Sequence, residues 1–307
     1  MDILIYLIQQ GSEVGIKDID ERTPLHGAAL AGHADIIDYL TDIGADLKAK
    51  DTLCRTALHE AVCRNHLEAS IMLIVKGLDI NAEEGKNGMT ALHICAERGF
   101  HELAEQLIIY GADMYASGDS LYSKTPLHLA CMNGHTNVTQ VLVDRGADMG
   151  ALSGFLDKNP LHLACEYGHA DTAEVLVKAG ADLQSFGIRV NGSTPLQLAC
   201  LEGHVDVVNM LLKYNPQISI FGKFTTVGTA LHVAAEYGED DCMKLLIEAG
   251  AELDYKEDRN GYTPLHMAIL SENYHAAKLL IDSLCDWDIK DYHNHLAFDL
   301  CLSLIHI

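Results

Sequence analysis

No two lysines or arginines are adjacent anywhere in the chain, so it lacks the basic clusters that mark localisation signals or phosphate-binding segments. Proline occurs only 6 times in 307 residues, and no Ser- or Gly-rich stretch interrupts the sequence, which leaves one continuous domain with no flexible linker. No apolar run approaches the ~18 residues of a membrane span. Met1-Asp2-Ile3 lacks the basic start of a signal peptide. From these absences the cytoplasm is the expected compartment, with the nucleus as the alternative. Two glycosylation-like triplets, Asn137-Val138-Thr139 and Asn191-Gly192-Ser193, then count as chance matches. Cys-x-x-Cys and His-Glu-x-x-His are both missing, so the 9 cysteines and 17 histidines carry no recognisable metal spacing.

Positive charge is also in short supply. Lys plus Arg is 21 against 44 Asp plus Glu, a net charge of -23. Such a surface repels nucleic-acid phosphates and anionic membranes. It favours a basic protein partner and a soluble, monomeric chain. Apolar residues nevertheless reach 49%, enough for a packed core. A length of 307 residues is long for one globular core, which stops growing near ~250–300 residues. A repeat array escapes that limit because each unit packs only on its neighbours.

The repeat is visible directly. Thr-Pro-Leu-His begins at Thr23, Thr125 and Thr263, and Thr-Ala-Leu-His at Thr56, Thr90 and Thr229; Asn159-Pro-Leu-His and Thr194-Pro-Leu-Gln complete the set. Successive starts are 33, 34, 35, 34, 35, 35 and 34 residues apart. Thr or Asn suits a helix N-cap, and Pro suits the first helical position, where its missing N–H costs nothing. Gly at 32, 134, 168 and 203 ends this first helix. An apolar stripe follows, expected through Val138, Val141, Leu142 and Val143 in one repeat and Val205, Val208, Leu211 and Leu212 in another. Gly-Ala-Asp closes the second helix at Gly44, Gly111, Gly146 and Gly180.

This pattern resembles the ankyrin-repeat family, whose ~33-residue unit carries Thr-Pro-Leu-His-x-Ala. The resemblance implies an all-α solenoid of stacked helix-turn-helix units with projecting finger loops that line a concave groove. A half repeat is expected over 1–17, eight full repeats from about 18 to 290, and a partial repeat over 291–301. Asn65, Glu272 and Leu284 stand where glycine is expected, which marks the last full repeat as the most irregular. Neither end carries a polar cap, so the array is expected to be a fragment of a longer one. The tail 302–307 is what the bases CTG TCT CTT ATA CAC ATC encode, a string resembling a transposase adapter end, and is expected to be non-native.

The resemblance also assigns the histidines. Seven occupy the fourth motif position (His26, His59, His93, His128, His162, His232, His266), and five follow the turn slot (His33, His66, His135, His169, His204). Local hydrogen bonding accounts for all twelve. Cys131, Cys165 and Cys200 share a small-residue slot; equivalent atoms one helix spacing of ~8–10 Å apart exceed the ~7 Å reach of a disulfide, so they are expected to be reduced core residues. Gly187 to Thr194 lacks the lysine of a phosphate loop, and Asp254 to Gly261 misplaces the glycine of a calcium loop. No catalytic residue, cofactor or metal site is expected.

Binding residues in this family are the variable ones, at the finger tips and just before the helix-ending glycine. Those slots hold Arg98, Tyr122, Phe155, Glu166, Tyr167, Phe221, Phe224, Glu236, Tyr237 and Tyr262. Aromatics are only 6% of the chain, so their concentration there points to interface hot spots. The expected function is a protein-interaction scaffold. The alternatives are a recognition segment of a larger kinase, ubiquitin ligase or transferase, and the cytoplasmic part of a channel or membrane-linked adaptor. Asn81, after Asp79-Ile80 with Leu73 upstream, matches the context in which ankyrin repeats are hydroxylated.

Overall fold

A computed structural model describes residues 2–85, 87–118, 123–154, 157–187, 193–214 and 228–300, with side chains from residue 5 onward. Its architecture is an all-α ankyrin-type solenoid, with only isolated bridges and no strand among the described residues. The chain divides into two compact units at Asp148, although no change in composition announces a boundary there.

The first unit holds α1 (Asp2–Gln9) and four helix pairs: α2 (Pro24–Leu30) with α3 (Ala34–Asp42), α4 (Ala57–Cys63) with α5 (Leu67–Val75), α6 (Ala91–Arg98) with α7 (His101–Ile109), and α8 (Pro126–Met132) with α9 (Thr136–Asp144). First helices pack on first helices, α2 on α4, α4 on α6 and α6 on α8; second helices do the same from α3 to α9. The second unit repeats the scheme with α10 (Pro160–Glu166) and α11 (Ala170–Lys178), α12 (Pro195–Leu201) and α13 (Val205–Lys213), α14 (Ala230–Tyr237) and α15 (Asp240–Glu248), and α16 (Pro264–Leu270) and α17 (Tyr274–Asp282).

Helices of seven to nine residues are too short to persist alone in water, so packing must hold them. The motif leucines do this. Leu25, Leu58, Leu92, Leu127, Leu161, Leu196, Leu231 and Leu265 are all buried, each stabilising by roughly 1.5–3 kcal/mol on transfer from water. Small residues beside them (Ala29, Ala61, Ala130, Ala164, Ala199) have no exposed surface and let neighbouring helices approach. The second-helix stripe differs from the expected one. In α9 the buried side chains are Val138, Thr139 and Leu142, and Val141 and Val143 are half-exposed. In α13 they are Val207, Val208, Met210 and Leu211, with Val205 on the solvent side. At 100° per residue, positions i, i+1 and i+4 share one face, and the outer valines fall off it.

The helix starts are built from two groups in place of one. The N-cap side chain accepts the N–H of the third helical residue at Thr125, Asn159, Thr194 and Thr263. In every described repeat, moreover, the N-cap backbone N–H donates to the motif His or Gln, at 3.2 Å for Thr23 to His26 and 3.1 Å for Thr56 to His59. The other ring nitrogen reaches the next finger: His26 to the Arg55 carbonyl, His59 to Met89, His93 to Lys124, His232 to Tyr262 and His266 to His295, at 3.1–3.4 Å. A carbonyl only accepts, so Nε2 carries the hydrogen; a backbone N–H only donates, so Nδ1 is bare. Each bridge therefore fixes a neutral ring. Burial pushes His59, His162 and His232 down to about 4, and lowers His93 and His266 as well.

A second set of bonds runs backward. His66 donates to the Leu30 carbonyl, His135 to Glu97, His204 to Glu166, and Asn273 to Ala235 and Glu236. These side chains lie against the glycine that ends the previous first helix. A Cβ on Gly32 would stand 2.6 Å from His66, and one on Gly168 2.8 Å from His204. Both glycines also have positive φ, so the slot excludes side chains twice over. Asn65 occupies it where the following repeat supplies Phe100 in place of a histidine.

Candidate interaction surface

The last two residues of each first helix are where side chains leave the core. In the second unit, Tyr167 caps α10 and is 48% exposed; Tyr237 ends α14 and is 54% exposed. Their acidic neighbours behave differently from one another. Glu166 is taken: the ammonium of Lys158, itself buried, reaches both of its carboxylate oxygens at 2.6 and 2.5 Å. Glu236 is half-buried and in no ion pair among the described residues, and burial raises its carboxyl above the ordinary range. Glu202, exposed at the end of α12, joins Glu166 in raising the Tyr167 hydroxyl, after burial. Tyr262 is half-buried and stacks on His266 with ring centroids 5.7 Å apart.

The equivalent row of the first unit carries guanidinium groups. Arg64 caps α4 and Arg98 ends α6; both are exposed, and Arg98 reaches the Cys63 carbonyl at 3.4 Å. Beneath them lies a closed ionic group. Arg55 reaches Asp51 at 2.7 Å and Glu60 at 2.8 Å, and Arg22 approaches the same two acids at 3.9 and 3.7 Å. Burial alone would raise Asp51, but hydrogen bonds from Arg55 and its charge outweigh that and hold the carboxyl low. The structure uses these charges internally.

Tyr122, Phe155, Phe221 and Phe224 lie outside the described residues. Asn81 is exposed; its N–H donates to Asp79 Oδ1 at 3.0 Å, and its own Oδ1 accepts the Asp113 N–H at 2.8 Å, tying one finger stem to the next. It borders a cleft of about 540 Å³ with Lys48 and Lys50, which the repeat pattern did not disclose. Sequence reasoning also missed Lys158, although a lysine directly before the N-cap and eight residues before a glutamate is the available signal. Cys131, Cys165 and Cys200 are buried and in no disulfide, as expected of core residues. Cys200 meets Cys242 of the next repeat, a contact between unlike slots. Among the described residues, no group of three His, Cys, Asp or Glu side chains could hold a metal ion, and no helix is long and apolar enough to cross a membrane.

Known proteins agree with this architecture. A family model for ankyrin repeats in three copies matches residues 1–84, 71–153, 150–221 and 223–291. The solved ankyrin repeat domain of human ASB11 superposes with a TM-score of 0.59 at 28% identity, covering 69% of this chain and 91% of that domain. The chicken (Gallus gallus) nuclear factor NF-kappa-B p105 subunit is 40% identical over 77 residues, 25% of this chain and 8% of the relative. Glycerophosphocholine phosphodiesterase GDE1 of Eremothecium gossypii is 38% identical over 76 residues, 25% of this chain and 6% of the relative. The chain thus spans under a tenth of either relative's length, and the likeness is one of repeats. With matches along nearly its whole length, the chain belongs to the ankyrin-repeat family.

Proposed function

We propose that the chain is a protein-binding scaffold that holds a basic segment of its partner on the first-helix row of the second unit, through Tyr167, Glu202, Glu236, Tyr237 and Tyr262. One observation carries this reading. Two tyrosine rings stand about half-exposed at the ends of first helices whose other side chains are mostly core, and among the described residues the acid beside Tyr237 is in no ion pair. Rigid amphipathic rings are frequent interface hot spots, and arginine or lysine can lie on a ring face while meeting a carboxylate. Glu166 contributes by positioning, since Lys158 already neutralises it. Arg98, exposed on the first unit, is a separate proposed contact for an acidic residue. Tyr122, Phe155, Phe221 and Phe224 remain proposed contacts on the strength of their repeat slots alone. The proposal holds equally for a free-standing array and for one that serves as the recognition segment of a larger enzyme or channel.

The test is calorimetric titration of the full chain with an arginine- and lysine-rich peptide. Tyr167→Ala and Tyr237→Ala should each weaken binding by about 1–3 kcal/mol without unfolding the chain, because both side chains lie outside the core. Raising salt should slow association, as screening shortens the reach of the field. Unchanged affinity in both variants would refute the reading. Asn81 hydroxylation is a separate proposal, favoured by the exposure of that residue; the oxygen atom would come from molecular oxygen through a separate oxygenase with its own reducing co-substrate. Peptide mass spectrometry of the protein from its native source should find one added oxygen on Asn81 and none on an Asn81→Ala chain.

A further inference from the structure

A second feature of the second unit lies on different elements, the stem that joins α15 to α16 and the finger that follows α17. There an open cleft of about 660 Å³ is lined by Tyr255 and Tyr292, by the acidic residues Glu252, Asp254 and Asp258, and by Lys256. The walls are fixed. The Tyr292 backbone N–H donates to the Asn260 carbonyl at 2.8 Å, and its ring lies so close to Gly261 that a Cβ there would stand 2.7 Å from it. Asp254 Oδ1 accepts the Asp286 N–H at 2.8 Å. Beneath the stem, buried Glu257 turns inward and accepts the backbone N–H groups of Arg259, Asn260 and Tyr262. The equivalent stem tie in the first unit, Thr52 N–H to the Asp20 carbonyl at 3.0 Å, carries threonine where Tyr292 stands.

The cleft already shows which kind of group it accepts. The Lys256 ammonium sits 5.8 Å from the centroid of the Tyr292 ring, within the distance at which a ring face attracts a cation. Three acidic residues and one lysine line the cleft, so it keeps excess negative charge with its own lysine in place. Burial raises the Tyr255 hydroxyl, and Asp258 and Glu252 add to that rise. An aromatic wall, surplus carboxylates and a tethered ammonium are the parts of a site for an organic cation.

We propose that this cleft binds a guanidinium or alkylammonium group from outside the chain, between Tyr255 and Tyr292, with Lys256 as the resident cation that the ligand displaces. The site is independent of the Tyr167–Tyr237 row.

The test uses the full chain labelled with 3-fluorotyrosine and followed by fluorine NMR, with Tyr255 and Tyr292 assigned by Tyr→Phe substitution. The probes are N-acetyl-arginine amide and tetramethylammonium chloride, each against sodium chloride at equal ionic strength. The Tyr255 and Tyr292 signals should move together along a saturating curve that sodium chloride does not reproduce. Lys256→Met should lower the half-saturating concentration several-fold. Lys244→Met, the same change of charge on α15 where the ammonium pairs with Asp241, should alter it less than twofold. Saturation by the arginine probe alone assigns the site to an arginine side chain, and saturation by both assigns it to organic cations at large; either supports the proposal. Shifts that follow ionic strength linearly, or equal effects of the two lysine variants, would overturn it. The Tyr167→Ala/Tyr237→Ala chain should titrate unchanged here, so the two readings stand or fall separately.

Discussion

The two units carry almost the same charge, 11 Lys plus Arg against 22 Asp plus Glu up to Asp148 and 10 against 22 after it, yet they spend it differently. The first unit buries acids under arginines, with Asp51 and Glu60 closed off by Arg55 and Arg22, and shows Arg64 and Arg98 on its first-helix row. The second shows tyrosines on its equivalent row and, among the described residues, gives Glu236 no ion pair. Net charge therefore does not say where a partner docks. What decides it is which acids already have an internal counter-charge, since a paired carboxylate has little left to offer a ligand.

What the units share is the histidine ladder, and it gives the largest expected effect. Each ring is held neutral by a donor on one nitrogen and an acceptor on the other. The folded values of His59, His162 and His232 are near 4, below the unfolded value of about 6.5, so the unfolded chain takes up protons first. Stability is fully present above about pH 6.5 and is lost as pH falls toward 4, on the order of 3 kcal/mol for each of the three. The second unit contains its own control. Gln197 makes the same two bonds, accepting the Thr194 N–H and donating to the Gly228 carbonyl, both at 2.7 Å, and does not titrate. His59→Gln, His162→Gln and His232→Gln together should keep the fold at pH 7.5 and shift the acid midpoint downward. An acid titration by circular dichroism that coincides with the parent's would remove the ladder as the cause.

Next in size is a swap of the two rows. Tyr167→Arg with Tyr237→Arg gives the second unit the character of the first. Binding of a basic peptide should then fall by more than the roughly 1–3 kcal/mol expected of an alanine change, because lost ring contact is joined by like-charge repulsion. Thermal stability should be unaltered, since both side chains lie outside the core. A swapped chain that binds as well as the parent would mean that the difference between the rows has no bearing on recognition.

The fold was legible because its repeat slots are mechanical: an N-cap, a motif leucine, a small core residue and a turn glycine recur at one spacing, and chemistry explains each. The helix-ending slot shows how far this goes. Glycine is required where the next repeat's histidine presses on it, and asparagine stands at position 65 where the next repeat offers Phe100. The candidate surface was legible only as positions. Sequence placed Glu166 and Glu236 in one class, because their slots are identical. The structure separates them through Lys158, whose effect depends on a side chain folding back over eight residues. The cation cleft at Tyr255 and Tyr292 was not legible, because it needs two successive stems brought side by side.

The smallest effect concerns the irregular end of the second unit. Leu284 holds φ at 66° in the slot where Gly180 and Gly250 hold 94° and 87°. A branched side chain in the left-handed region crowds the neighbouring carbonyl, at a cost of about 1–2 kcal/mol. Leu284 recovers little of this by packing, since 88% of it is exposed. Glycine gives back part of the gain through its greater freedom in the unfolded chain, roughly 0.5–1 kcal/mol. Leu284→Gly should therefore stabilise the second unit by about 1 kcal/mol or less. Hydrogen exchange is the suitable readout, because a change confined to the last repeats barely moves a global melting curve while local opening reports it directly. Amides of α16 and α17 should exchange a few-fold more slowly in the variant, and those of the first unit at the parent's rate. Faster exchange in α17 would mean that Leu284 makes a contact worth more than its strain, and that the second unit's end is better built than its backbone angles indicate.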